Sequence, residues 1–267
     1  MATEQVKYSN AELYVHLHPS FFAYTIYNLS NNQFESIEFI FHDGRNVINN
    51  KELSAWLKEN QLVFNQAFQK TKLCINSTSF SFLDNKELAT VDNFSILNEY
   101  NPSTEVLMMD ESIGDLVIQF AINKSIYKIL TGYFDKEEIH FGDNGILTAI
   151  EQFKDKDNYV CCQILNDEAS IAVVKNKQLI LFNKYIIKNS EDLLYYILLC
   201  FQANALDSNK DYLYLFGLIE LDSPMHQLIF DYIKNIEIVD SFTELELKTS
   251  TNDVSNHYFF NLLNSRS

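Results

Sequence analysis

Glycine and proline are scarce in this chain, with 6 and 3 copies in 267 residues. The shortage excludes collagen-like, low-complexity and linker-rich readings, which need one or both in quantity. Cations are also few: 20 Lys and Arg stand against 36 Asp and Glu, a formal net charge of −16. A phosphate backbone is drawn to clustered cations and repelled by so acidic a chain, so nucleic acid is not an expected partner. Anionic membrane surfaces are disfavoured for the same reason. No long hydrophobic run is present. The longest, Leu193 to Phe201, is about half of the roughly 20 residues that a bilayer span requires. Met1 to Asn10 is polar and lacks the apolar stretch of an export signal. No membrane insertion and a cytoplasmic location are therefore expected. The familiar signature loops are missing as well: no Gly-x-Gly-x-x-Gly, no Walker loop, no Gly-x-Ser-x-Gly and no His-Glu-x-x-His.

What the chain has is core material. Hydrophobic residues make up 47% and aromatic residues 14%, with 21 Phe and 15 Tyr, which suits two globular domains rather than one. Three strands are predicted first, Leu13 to His18, Phe21 to Asn28 and Phe34 to His42, with breaks short enough for antiparallel hairpins. Glu52, Leu53, Trp56, Leu57, Leu62, Val63 and Phe64 then recur near a helical period, with Asn49 or Asn50 as N-cap. Lys72 to Ile75 and Phe80 to Leu83 read as extended, and the chain after Asp84 as weakly helical to about Asn98. Tyr100 to Ser112 contains Pro102 and turn residues and reads as a loop. A strand at Leu116 to Ile122, a helix at Ser125 to Tyr133, a short strand at Ile139 to Phe141 and a helix at Gly145 to Phe153 follow.

Beyond the charged stretch Lys154 to Asn158 the opening pattern returns. Tyr159 to Leu165, Ala169 to Lys175 and Leu179 to Ile187 are three more strands. Ser190 is expected to cap a helix from Glu191 to Gln202, before a buried strand at Tyr212 to Phe216. Ser223-Pro224 opens a helix to about Ile233, and Glu237 to Val239 is the last strand. The order strand-strand-strand-helix-strand-helix thus occurs twice. It predicts an α/β protein of two mixed-sheet domains flanked by helices, residues 11–155 and 156–242, with a tail over 243–267.

This order resembles the actin-like ATPase (ribonuclease H-like) superfamily. More narrowly, it resembles a bacterial family of unknown function with that fold, and in layout it is similar to the actin-like scaffold proteins of pilus and secretion machines. Members that hydrolyse ATP share three sequence features, and the resemblance implies where these would fall. The first hairpin turn, with an Asp and a Gly in the family, reads Val15-His16-Leu17-His18-Pro19-Ser20-Phe21. The second, normally Asp-x-Gly-Gly-Gly-Thr-like, reads Leu165-Asn166-Asp167-Glu168-Ala169-Ser170. Glycine is needed there because backbone amides must close on phosphate oxygens, and Asp167 and Glu168 set negative charge where a triphosphate would sit. The third, an adenosine-contacting Gly pair, is half present as Gly217 in Leu215-Phe216-Gly217-Leu218.

Other clusters have plain explanations. His16 and His18 share a strand face and, with His42 or Asp43, could supply metal ligands, but core-edge histidines are the expectation. Adjacent Cys161 and Cys162 point to opposite faces of a strand, and with Cys74 and Cys200 they read as buried reduced thiols. Asp110, Glu111 and Asp115, and the patch Asp135 to Glu138, are expected to be solvated faces. The apolar segment Ser255 to Leu263 is expected to dock on the core, with a partner-binding helix as the alternative. No catalytic residue, metal or cofactor is expected. The chain reads as a non-catalytic binding or scaffold protein on a degenerate actin-like framework, with a protein partner or a second copy of itself. The alternative is an ATP-binding phosphotransferase or ATPase with divergent phosphate loops, for which Gly217 would contact the nucleotide.

Overall fold

The computed structural model describes residues 8–42, 47–83, 106–114, 116–134, 137–150, 153, 155–239 and 255–265. The chain divides into two compact units, Met1–Asn144 with Leu245–Thr251, and Gly145–Glu244 with Asn252–Ser267.

The first unit opens with β1 (Ala11–His18), β2 (Phe21–Asn28) and β3 (Gln33–Phe41), then α1 (Asn50–Glu59), α2 (Gln61–Phe64) and β4 (Lys70–Ile75). After β5 (Phe80–Leu83), β6 (Val106–Ile113) and β7 (Leu116–Asn123) come α3 (Lys124–Thr131) and β8 (Glu137–Phe141). The main sheet has the order β3-β2-β1-β4-β8. β1 and β2 are antiparallel, as are β2 and β3, while β4 lies parallel to both β1 and β8. Every residue of β1 except Glu12 is buried, His16 and His18 included, so both sheet faces are covered. β5, β7 and β6 form a separate three-stranded antiparallel sheet inserted between β4 and β8.

β6 corrects the sequence reading. Pro102 and its neighbours suggest a loop through Ser112, yet Val106–Ile113 pairs with β7 along its whole length. The strand is only half-buried, and its partner lies across a tight turn at Gly114, so its own composition carries a weak signal.

α1 forms where expected. Asn49 stands outside the helix at φ −85° and its Oδ1 accepts from the amides of Lys51 and Glu52. Leu53, Trp56 and Leu57 bury one stripe against an aromatic core, in which Trp56 packs on Phe22, Tyr24 and Phe64. Burying a large apolar side chain contributes roughly 1.5–3 kcal/mol, so these rings anchor the helix to the sheet.

The second unit comprises α4 (Asn144–Ile150, its first residue shared with the first unit), β9 (Tyr159–Leu165), β10 (Glu168–Lys175), β11 (Gln178–Ile186), α5 (Ser190–Ala203), β12 (Tyr212–Gly217), α6 (Pro224–Phe230) and β13 (Asn235–Ile238). Its sheet, β11-β10-β9-β12-β13, repeats the strand order and pairing senses of the first. Even the irregularity recurs: the register shifts between Thr25 and Tyr27 in one outer hairpin and between Val173 and Val174 in the other. The β10–β11 turn places Asn176 and Lys177 at φ 51° and 64°, the left-handed pair that matches strand twist in a two-residue hairpin. Asn189, rather than Ser190, caps α5 by accepting from Asp192. Ser223 caps α6 with Pro224 in its first turn, as read, though that helix ends at Phe230.

One edge of the first sheet carries unusual surface. On β3, Ile40 and Phe41 are 42% and 48% exposed, and Glu38 beside them is also exposed.

Candidate functional site

The two hairpin turns singled out in the sequence differ in what their side chains do. In the first, His18 and Ser20 are 2% and 1% exposed. The Ser20 amide donates to His18 Nδ1 at 3.1 Å, and the Ser20 hydroxyl lies 2.6 Å from the same nitrogen. The His18 ring stacks on Phe21, with centroids 5.1 Å apart, and His16 meets Phe21 edge-on. An imidazole therefore sits where the resemblance calls for bare backbone. His42 packs on the ring of Phe22, the opposite-face neighbour of Phe21, and lies 3.7 Å from Glu52. Among the described residues no three His, Cys, Asp or Glu groups are placed to hold a metal; Asp43 and Asp115 lie outside those residues.

In the second turn Asn166 is exposed and Asp167 half-buried, and the Asp167 carbonyl accepts from Ile187. Glu168 turns back along the sheet to Lys184, 3.3 Å away, with side chains 11% and 6% exposed. Its carboxylate is neutralised within the hairpin and does not point along the turn as a ligand.

Gly217 ends β12 at φ +84°, and an added Cβ would stand 2.0 Å from the Ile164 carbonyl oxygen. That oxygen accepts from Leu218 at 2.7 Å. The glycine is thus demanded by the backbone of its own sheet, whatever else it contacts. Two residues on, the Ile219 carbonyl meets His257 Nε2 at 2.7 Å.

His257 belongs to the docked carboxyl-terminal segment, a 3-10 turn at Asn256–Phe259 followed by α7 (Phe260–Asn264). Phe260 stacks on Phe216 at 4.0 Å, and Leu262 and Leu263 are buried. Asn261 is the anchor: its Oδ1 accepts from the Ile146 amide and its Nδ2 donates to Gln163. A Cβ on Gly145 would meet the Asn261 carbonyl oxygen at 2.3 Å, so only glycine admits this approach. The segment's polar residues were not singled out by sequence, because Asn261 acts through a partner distant in the chain.

The acidic cluster at Asp110 and Glu111 does not converge. Asp110 accepts from Gln119, whereas Glu111 accepts from the Phe141 amide, contacts His140 Nδ1 at 2.6 Å and accepts from Asn144. Glu111 is therefore a structural acceptor and not a solvated one. Nearby, burial would raise the Glu138 carboxyl, but the hydrogen bond and charge of Lys70 outweigh it and hold it below the ordinary value. Lys72 is 3% exposed above the Tyr14 ring, and desolvation, with Lys70 next, lowers its ammonium. The four cysteines are buried and form no disulfide, and desolvation raises Cys161 and Cys162 far above a reactive thiol.

A cavity of about 630 Å³ opens in the first unit. Its walls are the start of α1 (Asn49, Asn50, Lys51), the loop Asn76–Ser79 after β4, the end of β7 and Ile126 of α3, with Pro19 and Val47 at the rim. Sequence reasoning missed it because it is assembled from loop ends that carry no motif.

A family model described as "Protein of unknown function (DUF3822)" matches residues 2–236. No curated protein matches the chain. Among solved structures, a Bacteroides thetaiotaomicron protein with an actin-like ATPase fold and unknown function superposes with a TM-score of 0.72 at 20% identity, covering 88% of this chain and 93% of that one. The PilM–PilN type IV pilus biogenesis complex follows with a TM-score of 0.67 at 9% identity, covering 98% of each chain. The cytoplasmic domain of EpsL, an inner-membrane component of the Vibrio cholerae type II secretion system, gives 0.50 at 11% identity, covering 86% and 90%. The fold is that of the actin-like ATPases.

Proposed function

We propose that this chain, which belongs to the DUF3822 family of proteins of unknown function, is a binding scaffold on an actin-like framework that does not turn over nucleotide. The observation that carries the reading is the pair of hairpin turns. Neither contains glycine, one is filled by the His18–Ser20 contact, and the other places Glu168 in an ion pair with Lys184. Phosphate cradles need converging, unhindered amides, and a side chain in the turn holds them away.

Two similar structures favour a protein partner: one is a complex of PilM with PilN, the other a component of a secretion system. Four buried thiols outside any disulfide favour a reducing compartment, hence the cytoplasm. Among the described residues no helix is long and apolar enough to cross a membrane. The competing reading, an ATP-dependent phosphotransferase or ATPase, leans on Gly217, and the Ile164 carbonyl already accounts for that glycine.

The test is thermal. A ligand that binds only the native state raises the melting temperature through linkage. Millimolar Mg-ATP is expected to leave the melting temperature unchanged, with no release of phosphate. A saturable rise, or phosphate release above a buffer blank, overturns the reading.

A further inference from the structure

Among the described residues, the second unit's five-stranded sheet takes no strand from the carboxyl-terminal segment, residues 255–265. The core on its α5 side, built on Val160, Cys162 and Ile164 with Leu193, Ile197 and Phe201, takes no side chain from it either. The segment lies on the opposite sheet face, to which strand alternation turns Gln163 and Phe216.

Its position on that face is the one a ligand takes. β9 leads into the hairpin with β10, whereas β12, parallel beside it, pairs with β13 on its other side. Strand order reverses between the two, and in open α/β sheets ligands bind outside the carboxyl ends of the strands at such a point. Here His257 Nε2 meets the Ile219 carbonyl oxygen at 2.7 Å, two residues beyond β12, and the Tyr258 hydroxyl donates to Glu220. Asn261 reaches Gln163, two residues short of the end of β9.

The segment is also built like a bound peptide. Its buried residues are half polar, with His257, Asn261, Asn264 and Ser265 beside Phe259, Phe260, Leu262 and Leu263. Core segments are mainly apolar, whereas a ligand is recognised through a few placed polar groups. Helices below about 12 residues are marginal in water, so a 3-10 turn and a helix this short take shape on the surface they meet. That surface is cut for them: a Cβ on Gly145 would stand 2.6 Å from Asn261 Cα, backbone that cannot swing aside.

We propose that residues 255–265 are an autoinhibitory strap, a built-in ligand that fills the second unit's crevice and yields it to a partner segment of the same chemistry. That chemistry is an aromatic ring for Phe216, an Asn for Gln163 and the Ile146 amide, then two leucines. The proposal rests on the binding-scaffold reading and names the class of partner and its regulation. A second copy of this chain is not favoured. Its segment offers the same contacts without the effective concentration, about millimolar, that a tether gives the resident one.

The experiment uses the full chain and a fluorescein-labelled peptide of residues 255–265, followed by fluorescence anisotropy. Phe260→Ala loosens the resident segment and leaves the groove whole. It is expected to bind the peptide at least about tenfold tighter than the parent chain does. Gly145→Ala blocks the groove against either occupant and is expected not to bind it. The peptide with Asn261→Ala is expected to bind none of the three chains. Hydrogen exchange on the parent chain gives a readout that needs no variant to fold. The amides of Phe259 to Asn264 are expected to exchange at least about tenfold faster than those of β9 and β12, by local opening. Exchange no faster than in the strands makes the segment a fixed part of the core and overturns the proposal. So does a Phe260→Ala chain that unfolds cooperatively yet binds the peptide no tighter than the parent, or a Gly145→Ala chain that binds it equally well. A dimer of the parent chain in light scattering that Phe260→Ala abolishes assigns the groove to a second copy and overturns the partner. Failure here with no Mg-ATP shift removes the strap alone; a Mg-ATP shift removes the scaffold reading independently.

Discussion

Asn261 and Gln163 are joined side chain to side chain, Nδ2 donating to Oε1 at 2.9 Å, although 98 residues separate them. Both are buried, at 2% and 1% exposure, and Asn261 also accepts from the Ile146 amide. Asn261→Ala leaves a buried amide side chain and a buried backbone donor without their partners. It is expected to lower stability by about 2–4 kcal/mol, since each unsatisfied buried group costs about 1–3 kcal/mol. Urea unfolding checks this through a lower midpoint at unchanged slope.

Gly217→Ala places a methyl group against the Ile164 carbonyl at a left-handed φ. A strained backbone of this kind costs about 1–3 kcal/mol and the overlap adds to it. The variant is expected to melt lower, and equally so with and without nucleotide. A loss that appears only in ATP-dependent assays contradicts the steric account.

Glu168→Gln removes the counter-charge of Lys184, whose side chain is 6% exposed. Breaking a buried pair from one side costs about 3–5 kcal/mol, and replacement by a neutral amide of the same shape brings the expected loss to about 2–3 kcal/mol. Glu168→Gln with Lys184→Met should recover most of it. A double-mutant cycle in urea checks the coupling.

Tyr24 gives a pH dependence with a definite sign. Burial, then the charge of Glu38, pushes its phenol from 10.0 up to about 12. The folded chain therefore holds a proton that the unfolded chain releases above pH 10. Stability from this group is complete below pH 10 and is lost as pH climbs toward about 12. Tyr24→Phe should flatten the decline of the urea midpoint across that window, and an unchanged slope counts against the assignment.

Much of the architecture was legible in local signals. Hairpins announced themselves because β1 and β2 are aromatic and β-branched on either side of Pro19-Ser20, and α1 because Asn49 precedes a stripe of Leu53, Trp56 and Leu57. What escaped depends on distant partners. β6 is half-buried and gains its identity from pairing with β7, so its Asp110 and Glu111 looked like solvent-facing charge. Glu111 instead caps backbone and side chains some thirty residues away, at Phe141, His140 and Asn144. The cavity eluded sequence reasoning for the same cause, since its wall joins residues from Pro19 to Ile126. The glycine-free turns were legible as an absence, but the His18–Ser20 contact that fills one of them needed coordinates.

The outer strand β3 offers one more consequence. It stands at the end of the strand order of its sheet among the described residues and closes with the exposed Ile40 and Phe41, an apolar surface on which another molecule could lie. Glu38 beside them keeps a second molecule off by mutual repulsion, the usual guard on such a border. Without that charge the border becomes adhesive while the sheet behind it is intact. Glu38→Gln should therefore cloud concentrated solutions with the melting temperature unchanged, and Ile40→Lys in the same chain should suppress the clouding.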